Sequence, residues 1–370
     1  MTAPDPEETA RSRAVVERLG AAADADGFLP FERFMEIALY ADRIGYYERE
    51  RTPLGVPGDF YTAAHVDPLF AETVAARLRS VRRALGSPAP FRVVELGPGD
   101  GTLAAGIAGA LGGDPPGWEY VLVDRSSARA REAAARLANS ALPVRTESEV
   151  GALGPFSGVV LANECLDAQP IRRLRWDGGE WHELGIRIVD GRVVPAEAGP
   201  ARPVPGAPLP SDPAPGVVVE VSPAAEGLVR EVADHLAEGE AIVIDYGMDE
   251  SELVRGHPTG TLAAVRDHRT LPDPYSAPGT ADLSAFVNFS RVRAAARAAG
   301  LSEVAFQPQA LALGAWGFSD LLGAALAAAP NSEVRVRRQL AAKSLLFGFD
   351  RFRVLELAPP ASAARLASAT

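Results

Sequence analysis

The sequence has few of the residues that build disulfides and metal centres. Of its 370 residues one is a cysteine, Cys165, so the chain forms neither an internal disulfide nor a cysteine-rich zinc site. Its five histidines are scattered and show no paired ligand spacing. These absences exclude a disulfide scaffold and predict a function without a bound metal.

Positive charge and long apolar runs are also scarce. Lys and Arg number 37 against 48 Asp and Glu, which gives a formal net charge of −11. Because nucleic-acid binding normally needs a basic surface, this balance predicts no nucleic-acid partner, although Arg335, Arg337 and Arg338 form a local basic cluster. A transmembrane helix needs an apolar run of about 18 residues or more. The chain has no such run, so no transmembrane helix is predicted. Its acidic start, "MTAPDPEETARSR", is unlike a secretory signal. We therefore predict a cytoplasmic protein without a membrane partner.

From residue 91 onward, short apolar runs alternate with helical stretches. Runs such as "FRVVEL", "YVLVD", "GVVLA" and "AIVIDYG" are separated by segments with helical character. Strands that alternate with helices form a parallel sheet covered on both faces. Runs rich in β-branched residues are typical of such doubly covered strands. The pattern predicts an α/β fold of the Rossmann-like type.

Other segments depart from this alternation and define the predicted organisation of the chain. The predicted units are an N-terminal helical region with a lid loop (1–85), the core (86–170 and 216–357), an antiparallel and Pro-rich insertion (171–215), a second insertion (251–288) and a flexible tail (358–370). The stretch "LRWDGGEWHELGIRIVDGRVV" predicts hairpins with Asp-Gly turns. The Ala- and Ser-rich tail beyond Pro360 predicts frayed chain.

A glycine-rich turn follows the first strand of the alternating region. The stretch "VVELGPGDGTL" places Gly97, Gly99 and Gly101 before a helix, where a ligand can approach the backbone and free N–H groups. A dinucleotide site has the spacing G-x-G-x-x-G. Here the spacing is G-x-G-x-G, and the carboxylate of Glu95 would repel a pyrophosphate but suits a cationic ligand. We therefore predict S-adenosylmethionine (SAM), with its sulfonium and ammonium groups, rather than NAD.

Asp124 ends the next predicted strand, where a carboxylate can accept hydrogen bonds from both ribose hydroxyls of the cofactor. Its alternative role is to cap a helix over 126–138, which Ser126 could do instead. The neighbouring Arg125, and Pro98 in the glycine turn, complete this part of the predicted cofactor site.

Six stretches in chain order carry a resemblance to a known family. They are "GDFYTAAHVDPLFAE", "ELGPGDGTL", "NECLDAQPIRR", "IDYG", "GTLAAVRDH" with "DPYSAPGTADLSAFVNF", and "FRVL". Together they resemble the MidA-like family of SAM-dependent methyltransferases, relatives of a mitochondrial complex I assembly factor that methylates an arginine. The resemblance covers roughly residues 30–355. It implies a seven-strand SAM-methyltransferase core with insertions after strands four and five, SAM at the glycine turn, and a protein substrate methylated on arginine.

The resemblance also assigns residues that lie outside the glycine turn. It implies that the loop Gly58-Asp59-Phe60 folds over the bound cofactor. Thr62, in the same motif, and Asn163, after the fourth strand, are included in the predicted cofactor site.

Acidic residues follow the apolar strand "GVVLA". If the chain after Asn163 is helical, Glu164 and Asp167 lie one turn apart and face the same side. Such a pair can hold a guanidinium group and offset the repulsion between two cations, so Glu164, Asn163 and Asp167 are the predicted catalytic residues. The alternative is structural, with Asn163 capping a short helix and Asp167 paired with Arg172 or Arg173.

Four residues are predicted on the substrate side. His65 stands where the family has an acid, and we predict that it tunes the choice of substrate. Asp245 and Tyr246 follow the run "AIVIDYG", with a simple turn at the strand end as the alternative. His268, in "RDHRTLPDP", is a predicted general base, with a surface loop histidine as the alternative.

The motifs that face the substrate differ from the family pattern. Ala64-His65 replace a Pro-Glu pair, and Cys165-Leu166 replace two aromatic residues. The leading prediction is a SAM-dependent protein arginine methyltransferase. The alternatives are a methyltransferase of a small metabolite and an assembly or scaffold protein without catalysis. The oligomeric state is not predicted.

Overall fold

The N-terminal part of the chain is helical and packs on its own apolar core. The computed structural model describes residues 6–48, 63–114, 116–267 and 269–368. The first elements are α1 (Pro6–Ala22), β1 (Phe28–Pro30), α2 (Phe31–Tyr40), α3 (Ala63–Val66) and α4 (Pro68–Ala84). Helix α2 buries Phe31, Phe34 and Ile37, as their helical spacing predicts. They pack with Ile186 from the first insertion.

The first half of the core alternates strands and helices as predicted. Its elements are β2 (Phe91–Leu96), α5 (Thr102–Leu111), β3 (Trp118–Val123), α6 (Ser127–Arg136), β4 (Val144–Glu147) and β5 (Phe156–Asn163). Helix α5 begins directly after the glycine-rich turn, where the sequence predicts a helix.

The first insertion is an antiparallel sheet. Its strands are β6 (Arg172–Trp176), β7 (Trp181–Val189), β8 (Arg192–Ala198) and β9 (Val218–Val221). Both Asp-Gly hairpins are present, and β1 pairs with β7. Strand β9 pairs with β6, so this unit continues beyond the boundary predicted at residue 215. The sequence pattern did not predict this pairing, because β8 and the long Pro-rich segment after it separate β9 from its partner β6 in the chain.

The second half of the chain completes the core and carries the second insertion. Its elements are α7 (Pro223–His235), β10 (Leu236–Met248), α8 (Glu250–Gly256), β11 (Ala263–Arg266), β12 (Arg269–Thr270), β13 (Asp282–Ser284), β14 (Val287–Asn288), α9 (Phe289–Ala298), β15 (Ser302–Pro308), α10 (Gln309–Ala315), α11 (Phe318–Ala327), α12 (Ser332–Phe347), β16 (Phe352–Ala358) and α13 (Pro360–Ala367).

The central sheet has the strand order β15-β16-β10-β5-β2-β3-β4, with the short β14 beside the end of β10. Strands β4, β3, β2, β5 and β10 are parallel, and β16 is antiparallel to both of its neighbours. The expected seven-strand α/β core is confirmed. One apolar cluster lies on each face of the sheet, as doubly covered strands require. The carboxyl ends of the parallel strands meet at one edge, where open α/β sheets bind ligands.

A buried ion pair network links helix α4 to the sheet. Arg77 donates to Glu240 on β10 and to Glu356 on β16, and Trp316 donates to Glu356 over 2.9 Å. The carboxylate side chains are 0% and 5% exposed. Because buried carboxylates are costly when unpaired, Arg77 is their essential partner.

The predicted flexible tail is a helix instead. Helix α13 buries Leu366 against the core, and the Ser362 hydroxyl accepts a hydrogen bond from the Gly239 N–H over 3.1 Å. Its small residues allow this close packing, which composition alone does not reveal. Among the residues that the structure describes, no single helix is long and apolar enough to cross a membrane. Within the same residues, only the bent pair of α10 and α11, taken together, has the length and apolar content that such a crossing needs.

Candidate active site

A cavity of about 250 Å³ opens at the carboxyl ends of β2, β3 and β5. Most of the predicted site residues that the structure describes line it, and these are His65, Glu95, Gly97, Pro98, Gly99, Asp124, Arg125, Asn163, Glu164 and Asp167. Residues far apart in the chain therefore meet at the edge of the sheet that the alternating pattern predicts.

The glycine turn after β2 has a backbone path that side chains would obstruct. Gly97, Gly99 and Gly101 have φ of 61°, 57° and 79°, values that glycine adopts without strain. A Cβ on Gly101 would lie 2.8 Å from the Cα of Ala133, and one on Gly97 would lie 3.1 Å from the Cys165 Sγ. The turn therefore requires glycine at its ends for close packing as well as for conformation.

Asp124 is free of the capping role that the sequence left open. Ser126 caps α6 by accepting a hydrogen bond from the Arg129 N–H. One oxygen of Asp124 accepts the Ser126 N–H over 2.8 Å, and the side chain lines the cavity. Burial raises the pKa of this carboxyl. Asp124 is thus placed where a ligand can reach it.

Glu95 is a buried acid in the wall of the cavity. Its side chain accepts a hydrogen bond from the Tyr120 hydroxyl, and the residue is 3% exposed. Burial raises the pKa of Glu95 to about 8 despite this hydrogen bond. A cationic ligand would favour its ionised form.

The chain after β5 forms a turn, so the predicted short helix is wrong. Glu164 adopts a φ of 50°, in the left-handed region that breaks a helix at its first residue. Its N–H donates to the Ile244 carbonyl over 2.8 Å, which continues the pairing with β10. The Glu164 Oε1 accepts from the Ala63 N–H and the Asn163 amide over 3.4 and 3.3 Å. Asn163 is the last strand residue rather than a helix cap.

The Asp245 side chain fixes this turn through hydrogen bonds to the backbone of the turn. One carboxylate oxygen accepts the N–H groups of Cys165, Leu166 and Asp167 over 3.2, 2.9 and 3.3 Å. Its other oxygen accepts the Tyr246 N–H over 2.9 Å. Asp245 is fully buried beneath the turn and does not line the cavity. The structure therefore places it as a positioning residue instead of on the predicted substrate side.

Asp167 is held by a tyrosine rather than by an arginine. The Tyr246 hydroxyl donates to its Oδ2, and the Tyr246 ring packs against Phe286 and Phe352, away from the cavity wall. The alternative pairing with Arg172 or Arg173 is wrong, because these arginines form ion pairs within the insertion sheet. Asp167 is consequently available to the cavity.

Two buried carboxyl groups, Asp167 and Asp245, thus lie together with the partly buried Glu164. Burial raises the pKa of Glu164 to about 8, with the Asp167 carboxylate as the second cause, and raises that of Asp167 to about 6. Burial, Asp167 and Glu164 together raise the pKa of Asp245. Within the described residues, no Lys or Arg forms an ion pair with any of the three. The arrangement favours a cationic ligand.

His65 and the remaining predictions have other outcomes. The His65 Nε2 lies 3.4 Å from the Asp100 carboxylate, which Arg136 also contacts over 2.9 Å. His65 therefore lies beside the glycine turn, within the cavity wall. His268, together with Gly58, Asp59, Phe60 and Thr62, lies outside the described residues.

Two tyrosines in the cavity wall were not predicted from the sequence. Tyr40 donates to the Ala168 carbonyl over 2.9 Å, and Tyr47 donates to Asp282 over 2.7 Å. The Arg125 and Arg129 guanidinium groups stack on these rings, with their central carbons 4.2 and 4.6 Å from the ring centroids. The dense tyrosines of "YADRIGYY" are the one signal that could have indicated them.

Comparison with known proteins gives the family. A family model described as "Putative S-adenosyl-L-methionine-dependent methyltransferase" matches residues 73–307. The chain belongs to this family. A crystal structure of a Burkholderia thailandensis protein bound to S-adenosyl-homocysteine is similar, with a TM-score of 0.85 and 32% identity over 97% of this chain and 95% of that chain. The present protein is a SAM-dependent methyltransferase, as predicted.

Two curated relatives of the methyltransferase are named for a particular reaction. The "Protein arginine methyltransferase NDUFAF7 homolog, mitochondrial" of Drosophila melanogaster is 29% identical over 78% of this chain and 71% of its own length. The "Protein arginine methyltransferase NDUFAF7, mitochondrial" of Mus musculus is also 29% identical over 78% of this chain and 71% of its own length.

The cavity of the methyltransferase fits SAM. Three buried polar atoms in its wall, the Asn163 Oδ1, the Asp167 Oδ1 and the Arg129 Nη2, have no hydrogen-bond partner within the described protein. Buried polar atoms are normally paired, so these atoms indicate contacts with a ligand. SAM with its acceptor substrate supplies the N–H donors, hydroxyls and carboxylate that they require.

Proposed function

We propose that this methyltransferase transfers a methyl group to a side-chain nitrogen of arginine in a protein substrate. The observation that carries the proposal is the carboxyl cluster of the partly buried Glu164 and the buried Asp167 and Asp245, which has no basic partner in the described chain. A guanidinium group has five N–H donors, which suit the unpaired oxygens of Asn163 and Asp167. The names of the curated relatives support the same substrate class.

We also propose which residues contact the cofactor. Asp124 would accept the ribose hydroxyls, and the glycine turn from Gly97 to Gly101 would let the cofactor approach the backbone. Glu95 lines the cavity, where its carboxylate would complement the positive charge of the ligand. Arg125 closes one wall through its ion pair with Glu36.

The carboxyl groups have a specific task in arginine methylation. Bound SAM supplies an electrophilic methyl group on a sulfonium. Because the guanidinium pKa is about 13.8, removing its proton beforehand at pH 7 would cost about 9 kcal/mol. Glu164 and Asp167 instead hold the guanidinium while it is charged and orient one nitrogen toward the methyl group. The bound guanidinium favours the ionised form of Glu164. This carboxylate would accept the proton as the N–C bond forms and the methyl–sulfur bond breaks, with S-adenosyl-homocysteine as the leaving group, and would then release it to solvent.

Methyl labelling tests this proposal. The wild type, Glu164→Gln and the control Asp190→Asn are incubated with a cell lysate and SAM that carries a tritiated methyl group. Asp190 is an exposed turn residue with a φ of 49°, which asparagine also tolerates. We expect methylarginine in hydrolysed protein from the wild type and the control. Glu164→Gln should bind S-adenosyl-homocysteine in calorimetry but transfer no methyl group.

Each other outcome has a defined meaning. Label in a different amino acid would contradict the arginine assignment. Label only in small molecules would favour a metabolite methyltransferase, and normal turnover by Glu164→Gln would remove Glu164 from the mechanism. Cytoplasmic location and the absence of nucleic-acid and membrane partners stay predictions, and the curated relatives are named as mitochondrial.

A further inference from the structure

Helix α12 presents an apolar stripe to solvent. Val336, Leu340 and Phe347 are 51%, 63% and 72% exposed. With Lys343 they are spaced four, three and four residues apart, so they lie along one helix face. The opposite face packs on the core through Leu345. A surface helix normally buries its apolar stripe, so this second stripe indicates a contact outside the chain.

Basic side chains flank the stripe. Arg335 and Arg337 are exposed and lie on either side of Val336, about 100° around the helix in each direction. Within the described residues, neither of them nor Lys343 takes part in an ion pair. Glu333 is the single acid in the helix, although the whole chain has a net charge of −11. The stripe is therefore flanked by basic side chains that are unpaired within the described chain, on a protein of net negative charge.

We propose that α12 binds an amphipathic helix of a partner protein whose apolar stripe is flanked by Asp and Glu. The 4-3-4 spacing matches the seam along which two helices pack, and charges beside such a seam select the partner. An acidic helix complements Arg335, Arg337 and Lys343, and the remaining acidic surface repels it from other positions.

Other occupants fit this face less well. A lipid bilayer would draw Lys343, in the middle of the stripe, toward hydrocarbon, where a charge is costly. A second copy of the chain would place the basic flanks of both helices against each other. The proposal is independent of the methyl acceptor, because α12 contributes no residue to the cavity wall.

The test uses two fluorescein-labelled designed peptides of the same length. Both have a leucine seam, flanked by glutamates in one and by lysines in the other. Fluorescence anisotropy measures binding to the full-length wild type, to Arg335→Glu/Arg337→Glu and to Leu340→Ser. The control variants Arg83→Glu/Arg297→Glu and Val189→Ser change exposed residues elsewhere. Calorimetry with S-adenosyl-homocysteine and circular dichroism verify that every variant folds.

We expect the glutamate peptide to bind the wild type and both controls. Leu340→Ser and the α12 charge reversal should each weaken this binding about 10-fold or more, and the charge reversal should bind the lysine peptide instead. Equal binding of both peptides to the wild type, or no binding at about 0.5 mM, would overturn the proposal.

Two further measurements identify the competing occupants. If the wild type floats with phosphatidylglycerol vesicles and Arg335→Glu/Arg337→Glu does not, the surface binds an anionic bilayer and the partner-helix proposal is wrong. If the wild type sediments as a dimer and Leu340→Ser sediments as a monomer, the surface binds a second copy of the chain and the partner-helix proposal is wrong.

Discussion

Replacing Glu164 by glutamine should make the ligand-free protein more stable at alkaline pH, although the change removes a proposed catalytic group. Burial raises the pKa of Glu164 from 4.5 to about 8. Between these two values the folded state binds more protons than the unfolded state, so stability falls as the pH rises through this window. The penalty is absent below the lower value and fully present above the higher one.

The magnitude follows from the two pKa values. A rise from 4.5 to about 8 corresponds to at most about 5 kcal/mol, at about 1.4 kcal/mol per pKa unit. Glutamine keeps the oxygen that accepts from the Ala63 N–H and the Asn163 amide. Because the cavity admits water, which screens the charge, we expect a gain of about 2–3 kcal/mol.

Urea unfolding of the ligand-free wild type, Glu164→Gln and Asp190→Asn measures this gain. At about pH 5 the three proteins should differ by less than about 1 kcal/mol, and at about pH 9 Glu164→Gln alone should be the more stable. A difference between wild type and Glu164→Gln that does not change with pH would refute the reasoning, because a neutral glutamine cannot carry a pH-dependent penalty.

Three other variants test the cavity and its support. Asp124→Ala should weaken S-adenosyl-homocysteine binding by about 1.5–3 kcal/mol in calorimetry, and unchanged affinity would exclude the ribose contact. Asp245→Ala leaves three buried N–H groups without their acceptor, so urea unfolding should show a loss of about 3 kcal/mol or more, and a loss below about 1 kcal/mol would contradict the positioning role. Arg77→Met leaves Glu240 and Glu356 without their cation and should cost about 3–5 kcal/mol at pH 8, with a smaller loss at pH 5; an equal loss at both would count against the electrostatic account.

The parts of the fold that depend on local pattern could be predicted from the sequence. Apolar strands and amphipathic helices leave a periodic signal, so the alternation of strands and helices in the core was accessible. The number of seven strands was instead implied by the family resemblance. Strand β9 and helix α13 were not, because each depends on a distant partner, β6 in one case and the Gly239 N–H in the other. Composition carries no information about such partners.

The candidate site divides in the same way. Residues next to a glycine turn or a strand end, such as Glu95, Asp124 and Glu164, could be predicted because strand ends of a parallel sheet meet at one edge. Tyr40 and Tyr47 reach the cavity from the N-terminal region through tertiary packing. Asp245 was found by the same strand-end argument, but its orientation beneath the turn is decided by the backbone path of residues 164–167.

The hydrogen bonds between Asp245 and backbone N–H groups have a consequence for how the family can diversify. An anchor that contacts only the main chain is indifferent to which side chains the turn carries. Other side chains can therefore replace Cys165 and Leu166 while the path of the chain, and with it the position of Glu164, is retained. The methyltransferase fold thus allows the side chains of this turn to change by substitution in evolution, without rebuilding the turn that holds the Glu164 carboxylate.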